Sequence, residues 1–334
     1  MQAVVLVGGF GTRLRPLTYT RPKQMLPVVN RPMIEHVVGH LAAHGVDEVV
    51  LSLGYQPDAF AEAYPDGCCA GAKLVYAVEQ EPLDTAGAIR FAAREAGIDQ
   101  RFLALNGDVL TDLDVSALVA FHADRSAEAT IFLHPVEDPS RYGVVPTDED
   151  GRVLAFVEKP PRDQAPTNLI NAGIYVLEPS VLDRIPAGRR VSIERETFPA
   201  LVAEGRVYAI DGASYWIDIG VPEAYLQAQL DLLDGVRGTP LAGVHPEATV
   251  APGASVVRSV LGPGTVVEAG AKVERSVLLP GARVGAAARL EDSVLGEGAV
   301  VAAGAEVVGG TVIGDGETVD AGARLDGVRV PVLS

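Results

Sequence analysis

The sequence predicts two folds in series: an α/β domain with a mainly parallel sheet over residues 1–235, then a left-handed parallel β-helix of hexapeptide repeats over residues 243–330. Three observations carry this. The 334 residues exceed the roughly 100–200 of a usual single domain. Short β-branched runs alternate with helical patterns through the first part, the mark of a parallel α/β sheet. From about residue 243, Val, Leu or Ile recurs every five or six positions beside Gly and Ala, a spacing that never settles at the helical 3.6.

In the first domain, residues 3–7, 48–53, 73–78, 102–105 and 130–136 read as strands. Between the first two, Ile34, Val37, Val38 and Leu41 fall on one face of a helix over 33–44, and Gly45 stops it. Residues 85–96 and 115–124 read as further helices. Gly235, Gly238 and Pro240 mark the junction at 233–242. In the second domain, 244–260, 261–277 and 278–294 align at 17 residues, and the pattern then continues with one coil a residue longer. Three short sides per turn, each with one inward aliphatic residue and a small corner, describe the β-helix coil.

No apolar run approaches the roughly 18 residues of a membrane span, and the chain enters strand-like sequence at once, so a cytoplasmic protein is expected. The two cysteines, Cys68 and Cys69, are neighbours and offer neither a disulfide framework nor metal spacing. A net charge of −17 argues against nucleic-acid and anionic-membrane partners. The charge is uneven, however: residues 1–34 hold no Asp or Glu, and Arg13, Arg15, Arg21, Lys23 and Arg31 give them +5. A positive island in an acidic protein suits a small anion.

That island contains VVLVGGFGTRLRPLTYTRPK, residues 4–23. Gly8, Gly9 and Gly11 follow a buried strand and let backbone N–H groups turn toward phosphate, with Arg13 and Lys23 as neutralising cations. The spacing matches neither GxxxxGK[ST] nor GxGxxG, so simple NTPase and dehydrogenase readings lose their support. Elsewhere, Asp108 follows a strand and Asp218 sits in a short apolar segment. Either alone reads as a turn or cap, but a pair of carboxylates with phosphate oxygens suits Mg²⁺. The chain has only four lysines, at 23, 73, 159 and 272, and Lys159 is the compact point charge expected to meet a second phosphate. Glu158 beside it either accepts hydrogen bonds from the hydroxyls of a ligand or pairs with that lysine.

GGFGTRLRPLTYTRPK resembles, without departure, the signature GGxGTRLxPLTxxxPK of the sugar-phosphate nucleotidyltransferases. The resemblance extends over nearly the whole chain, through Asn106–Gly107–Asp108, FVEKP at 156–160, NAGIYV at 171–176 and WIDIG at 216–220. It implies a Rossmann-like catalytic domain, in which Leu6, Gly8, Gly9, Gly11, Thr12, Arg13, Gln80, Gly87 and Asp108 bind the nucleotide. Gly143, Glu158, Lys159, Asn171 and Asp218 would bind the sugar phosphate, with Arg13, Lys23 and Lys159 catalytic and Asp108 and Asp218 holding Mg²⁺. EQEPLDTAGAIR at 79–90 is similar to the family's PLGTAGA base-binding segment, but Asp84 replaces a Gly, and a helix cap is its favoured role.

Within that family, the run at 183–205 looks most like the mannose-1-phosphate guanylyltransferases, whereas PKQMLPV is similar to the thymidylyl and uridylyl glucose-1-phosphate enzymes. GTP and mannose 1-phosphate are therefore placed first. The expected reaction is in-line attack of the sugar phosphate, already a dianion near neutral pH, on the α-phosphorus, with no protein nucleophile. The β-helix is expected to serve assembly of a homo-oligomer. An acyltransferase reading of the β-helix fails for want of a histidine base, since only His245 lies near the repeat. A non-catalytic sugar-nucleotide sensor is opposed by the full set Arg13, Lys23, Asp108, Lys159 and Asp218. His36, His40 and His44 have a spacing that can bind zinc, but a solvated polar helix face is favoured. Trp216 reads as a core or wall residue.

Overall fold

The computed structural model describes residues 1–54 and 56–331. By packing, the chain forms two compact units: residues 1–9 with 35–216, and residues 10–34 with 217–334. The break in sequence character near residue 240 is thus not the division that packing makes.

The first unit is built on a mixed sheet. Its long strands are β1 (Gln2–Leu6), β2 (Glu48–Leu53), β3 (Ala72–Val78), β4 (Phe102–Asn106), β5 (Ala129–Pro135), β6 (Leu169–Leu177) and β7 (Val207–Asp211). From one edge they run β3, β2, β1, β4, β6, and then β6 pairs β5, which pairs β7. Pairings among β3, β2, β1 and β4 are all parallel, as is β5 with β7. β6 alone runs antiparallel to both its long neighbours. Strands of such a sheet are covered on both faces, which is why they read as unbroken apolar runs. Val4, Val50, Ala104, Phe102, Ile131 and Tyr175 share one buried cluster.

Helices α1 (Met33–Ala43), α2 (Asp84–Glu95) and α3 (Val115–Arg125) lie within one residue of the ranges read from the sequence. In α1, Ile34, Val37, Val38 and Leu41 are buried as the 3.6 period requires. The histidine face departs from expectation. His36, His40 and His44 are half-buried, with His40 Nε2 2.9 Å from the Leu113 carbonyl and His44 Nδ1 3.0 Å from Ser116 Oγ. It is a packed polar face and not a solvated one, because α3 and the turn before it supply its partners.

The second unit contains α4 (Pro222–Leu233) and the repeats. The repeats stack into three parallel sheets of five strands each, consistent with a left-handed β-helix. One sheet begins Thr249–Val250 and Val266–Val267, the next Ser255–Val257 and Lys272–Glu274, the third Val260–Leu261 and Val277–Leu278. Partners lie 17 residues apart until Val294 meets Val312 at 18, the extra residue being absorbed at Gly309–Gly310. Inward positions such as Val267, Val284, Val301, Leu278 and Leu295 are fully buried, each side chain stabilising the coil by about 1.5–3 kcal/mol. At one corner the hydroxyls of Ser259 and Ser276 accept the N–H of Ser276 and Ser293, which satisfies a buried polar column.

Candidate functional site

In the first unit, β1 ends at Leu6, in register with Ser52 on one side and Asn106 on the other. The glycines that follow lie at the C-terminal edge of the parallel strands, where this topology leaves room for a ligand. Gly8 approaches Gly54 so closely that a Cβ on Gly54 would stand 3.2 Å from the Gly8 carbonyl. Gly9 is exposed. Beside them, Gly107 donates its N–H to Leu6 at 3.0 Å, and its missing Cβ leaves space for Val7. This packing fixes the turn that carries Asp108, which is 9% exposed.

Glu79 is a residue the sequence reading left unassigned. Its carboxylate accepts from Ser52 Oγ at 2.8 Å and from the Leu83 N–H at 2.9 Å, and it lies behind Gly8. An acid just beyond a buried strand was its only signal. Asp84 is not the expected cap: α2 begins at Asp84 itself, on a left-handed backbone of φ 60°, the cap position falls on Leu83 with no side-chain cap bond, and the Asp84 carboxylate accepts the adjacent Thr85 N–H at 2.8 Å. Gln80 is exposed, whereas Gly87 is buried, its missing Cβ admitting Leu83 and the Arg189 carbonyl. Thr85 binds the 190s segment directly: its hydroxyl donates to Glu194 and accepts the Ile193 N–H, both at 2.8 Å.

The expected sugar-side residues of this unit lie on neighbouring strands. Gly143 pairs with Glu158, and Val144 with Ile170 next to Asn171. A Cβ on Gly143 would stand 2.6 Å from the Phe156 ring and 3.1 Å from Glu158 Oε2, so any larger residue has to push that ring aside. Asn171 donates to Tyr175 Oη at 2.8 Å and accepts the Gly173 N–H at 3.0 Å. Lys159 holds a left-handed backbone, φ 47°, uncommon for a long side chain, and reaches Glu158 at 3.4 Å while staying largely exposed. Trp216 is a wall residue: its Nε1 donates to the Ala172 carbonyl at 2.9 Å, and its ring meets His134 and Tyr142.

In the second unit, Gly11 has φ 61° and starts the turn Thr12–Leu14; a Cβ there would press on Thr18 and Lys23. Thr18 donates to the Gly11 carbonyl at 2.8 Å, closing the loop. Thr12 is exposed and Lys23 half-buried. Arg13 and Asp218 come together at Gly220, where a Cβ would be 2.5 Å from Arg13 Nη2 and 2.9 Å from Asp218 Oδ1. Gly220, quoted within WIDIG but given no role, makes room for both.

The donor set can do definite chemistry. In the first unit the turn at Gly8 and Gly9 offers backbone N–H donors and Asp108 a hard oxygen ligand; in the second, Arg13 and Lys23 offer cations and Asp218 a second carboxylate. Among the described residues no three His, Cys, Asp or Glu side chains form a cluster that could hold a metal ion. Cys69 is buried and its thiol is pushed up to about 11 by that burial, which keeps it inert. No helix among the described residues is long and apolar enough to cross a membrane.

Comparison with known proteins gives two domain matches: Nucleotidyl transferase over residues 2–235, and GMPPB C-terminal domain over residues 239–332. A Mycobacterium tuberculosis protein named mannose-1-phosphate guanylyltransferase is 43% identical over 281 residues, 79% of this chain and 77% of its own. An Aspergillus oryzae mannose-1-phosphate guanyltransferase is 44% identical over 232 residues, 68% of this chain and 62% of the relative's length. The crystal structure of HddC from Yersinia pseudotuberculosis complexed with GMP-PN superposes with a TM-score of 0.59 at 31% identity, covering 68% of this chain and 97% of that one.

Proposed function

The chain belongs to the nucleotidyl transferase family, and on that premise we propose that it transfers GMP from GTP to mannose 1-phosphate, releasing pyrophosphate and forming GDP-mannose. The observation that carries the choice of substrates is the 43% identity, over most of both chains, to a relative bearing that activity in its name. The unbroken signature at residues 8–23 supports the reaction class.

The sugar phosphate attacks the α-phosphorus in line, and the chain's own residues align and neutralise. Gly8, Gly9, Gly11 and Thr12 present backbone N–H groups to the triphosphate, with Arg13 and Lys23 meeting its charge. Lys159, exposed on a constrained backbone, receives the phosphate of the sugar. Gly143, Glu158 and Asn171, on adjacent strands, bound the sugar, and Leu6, Gln80 and Gly87 belong to the nucleotide side.

Enzymes of this family generally use a divalent metal. Asp108, nine-tenths buried, and Asp218 are hard oxygen donors that fit Mg²⁺ and would hold it. The ion supplies charge neutralisation on the phosphate oxygens. The domains are taken as 1–235 for catalysis and 243–330 for the β-helix, and the location as cytoplasmic. A homo-oligomer through the β-helix fits its first coil, where the inward position Val250 is 40% exposed while its counterpart Val267 is fully buried.

The deciding experiment is a panel of GTP, ATP, UTP and dTTP against mannose and glucose 1-phosphates, scored by pyrophosphate release. The highest kcat/KM is expected for GTP with mannose 1-phosphate. Preference for dTTP or UTP with glucose 1-phosphate overturns the substrate assignment, and GDP-mannose binding without turnover supports a sensor.

A further inference from the structure

The signature segment is held from both ends by the last coils of the β-helix. Residues 10–34 belong by packing to the same compact unit as the repeats. Arg329, on the final strand Arg329–Val330, donates through Nη1 to the carbonyl oxygens of Arg13 at 3.0 Å and Arg15 at 3.1 Å. At the other end, Asp315 Oδ2 accepts from Thr20 Oγ1 at 2.5 Å and from Arg21 Nη2 at 3.0 Å. Glu297 Oε2 accepts from the same Arg21 nitrogen at 2.5 Å, and Asp315 Oδ1 accepts the Glu297 N–H at 2.8 Å, so two successive corners share one clasp. Between the two ends, a Cβ on Gly314 would stand 3.0 Å from Pro16.

These contacts differ from ordinary surface ion pairs. The Arg21 and Asp315 side chains are only 20% and 16% exposed, where charge-assisted bonds are screened less and orient more. Arg329 spends its donors on two backbone carbonyls of the segment that bears Arg13, and the Arg13 guanidinium in turn lies at Gly220 beside Asp218. One guanidinium nitrogen bonded to the carbonyls of Arg13 and Arg15 ties down the backbone from which the Arg13 side chain projects.

We propose that the last two coils of the β-helix are a positioning scaffold for the triphosphate loop, with Arg329 and Asp315 as positioning residues for nucleotidyl transfer. The inference rests on the loop's role in the proposed function. It gives the β-helix a part in catalysis within one chain, separate from any part in assembly.

The test compares steady-state kinetics of the full-length chain with those of Arg329→Met, Arg329→Lys and Asp315→Asn. Arg324→Ala is the control, since Arg324 lies on the last coil but pairs with Glu306 of the preceding coil and with Asp326 of its own strand. For Arg329→Met, kcat/KM for GTP is expected to fall on the order of tenfold to a hundredfold, the scale of a slight misplacement of catalytic groups. KM for mannose 1-phosphate should stay within about twofold of wild type while Arg329→Lys recovers part of the loss. Arg324→Ala should match wild type. Unchanged GTP kinetics in a folded Arg329→Met or Asp315→Asn variant overturns the proposal, as does an equal loss in all substrates that tracks only a lower melting temperature. An inactive wild type would instead fail the proposed function, which keeps the two outcomes apart. If Arg329→Met does not fold, Asp315→Asn and Arg329→Lys decide by the same readout.

Discussion

The Thr85 hydroxyl donates to Glu194 at 2.8 Å while accepting the Ile193 N–H at the same distance, tying the start of α2 to a segment more than a hundred residues away. Thr85→Val keeps the shape but orphans that N–H and takes one donor from Glu194, which keeps the Ser192 hydroxyl at 2.7 Å. The expected cost is about 1–3 kcal/mol, read as a lower denaturation midpoint, with Thr85→Ser recovering most of it. Equal stability of the valine variant would show the bond to be idle.

Asp218 shares the space at Gly220 with Arg13. Asp218→Ala should abolish turnover with Mg²⁺ present while circular dichroism and melting stay close to wild type. Activity persisting in that variant would remove Asp218 from the metal site.

Lys159 is largely exposed and only loosely paired with Glu158. Lys159→Met should therefore change stability by no more than about 0.5 kcal/mol, the usual range for such surface sites. Its kinetic effect should fall on mannose 1-phosphate, with a raised KM, more than on GTP. An equal effect on both substrates would contradict its assignment to the sugar phosphate.

His122 is fully buried, 2.8 Å from Thr130 Oγ1 and 3.2 Å from Glu178 Oε1. Burial lowers its pKa, and the Glu178 contact opposes the shift without reversing it. Below its unfolded value of about 6.5 the unfolded chain binds the extra proton, so this contribution is complete above that pH and is lost as pH falls through it. Melting temperature should drop as pH falls below about 6.5, and His122→Gln should flatten that slope. Parallel slopes in the two proteins would exclude His122 as the source.

The sequence was most readable where a side chain's duty repeats. The 17-residue period places Val267, Val284 and Val301 inside the coil, and the longer coil locates the extra residue at Gly309–Gly310. The continuous apolar runs of β1 and β2 announce strands buried on both faces. Direction is what such runs lack: LINAGIYVL reads as a buried strand whichever way it lies, so the antiparallel placement of β6 was not visible. Glycine roles were half legible. Gly87 was seen as a motif residue, but the Arg189 carbonyl that needs its missing Cβ lies about a hundred residues on. The histidines of α1 escaped for the same reason, because the partners that remove them from water, Leu113 and Ser116, are distant in sequence. So did the clasp of Arg21 and Arg329, since charges in a loop and in a repeat give no sign of each other.

The central claim, attack of a sugar phosphate on the α-phosphorus of GTP, is tested most directly by following labelled phosphorus. With mannose 1-phosphate and Mg²⁺, label at the α position of GTP should appear in GDP-mannose, and label at the γ position only in pyrophosphate. Label from the γ position in a sugar phosphate or in free phosphate, or α label retained on the protein, would contradict it.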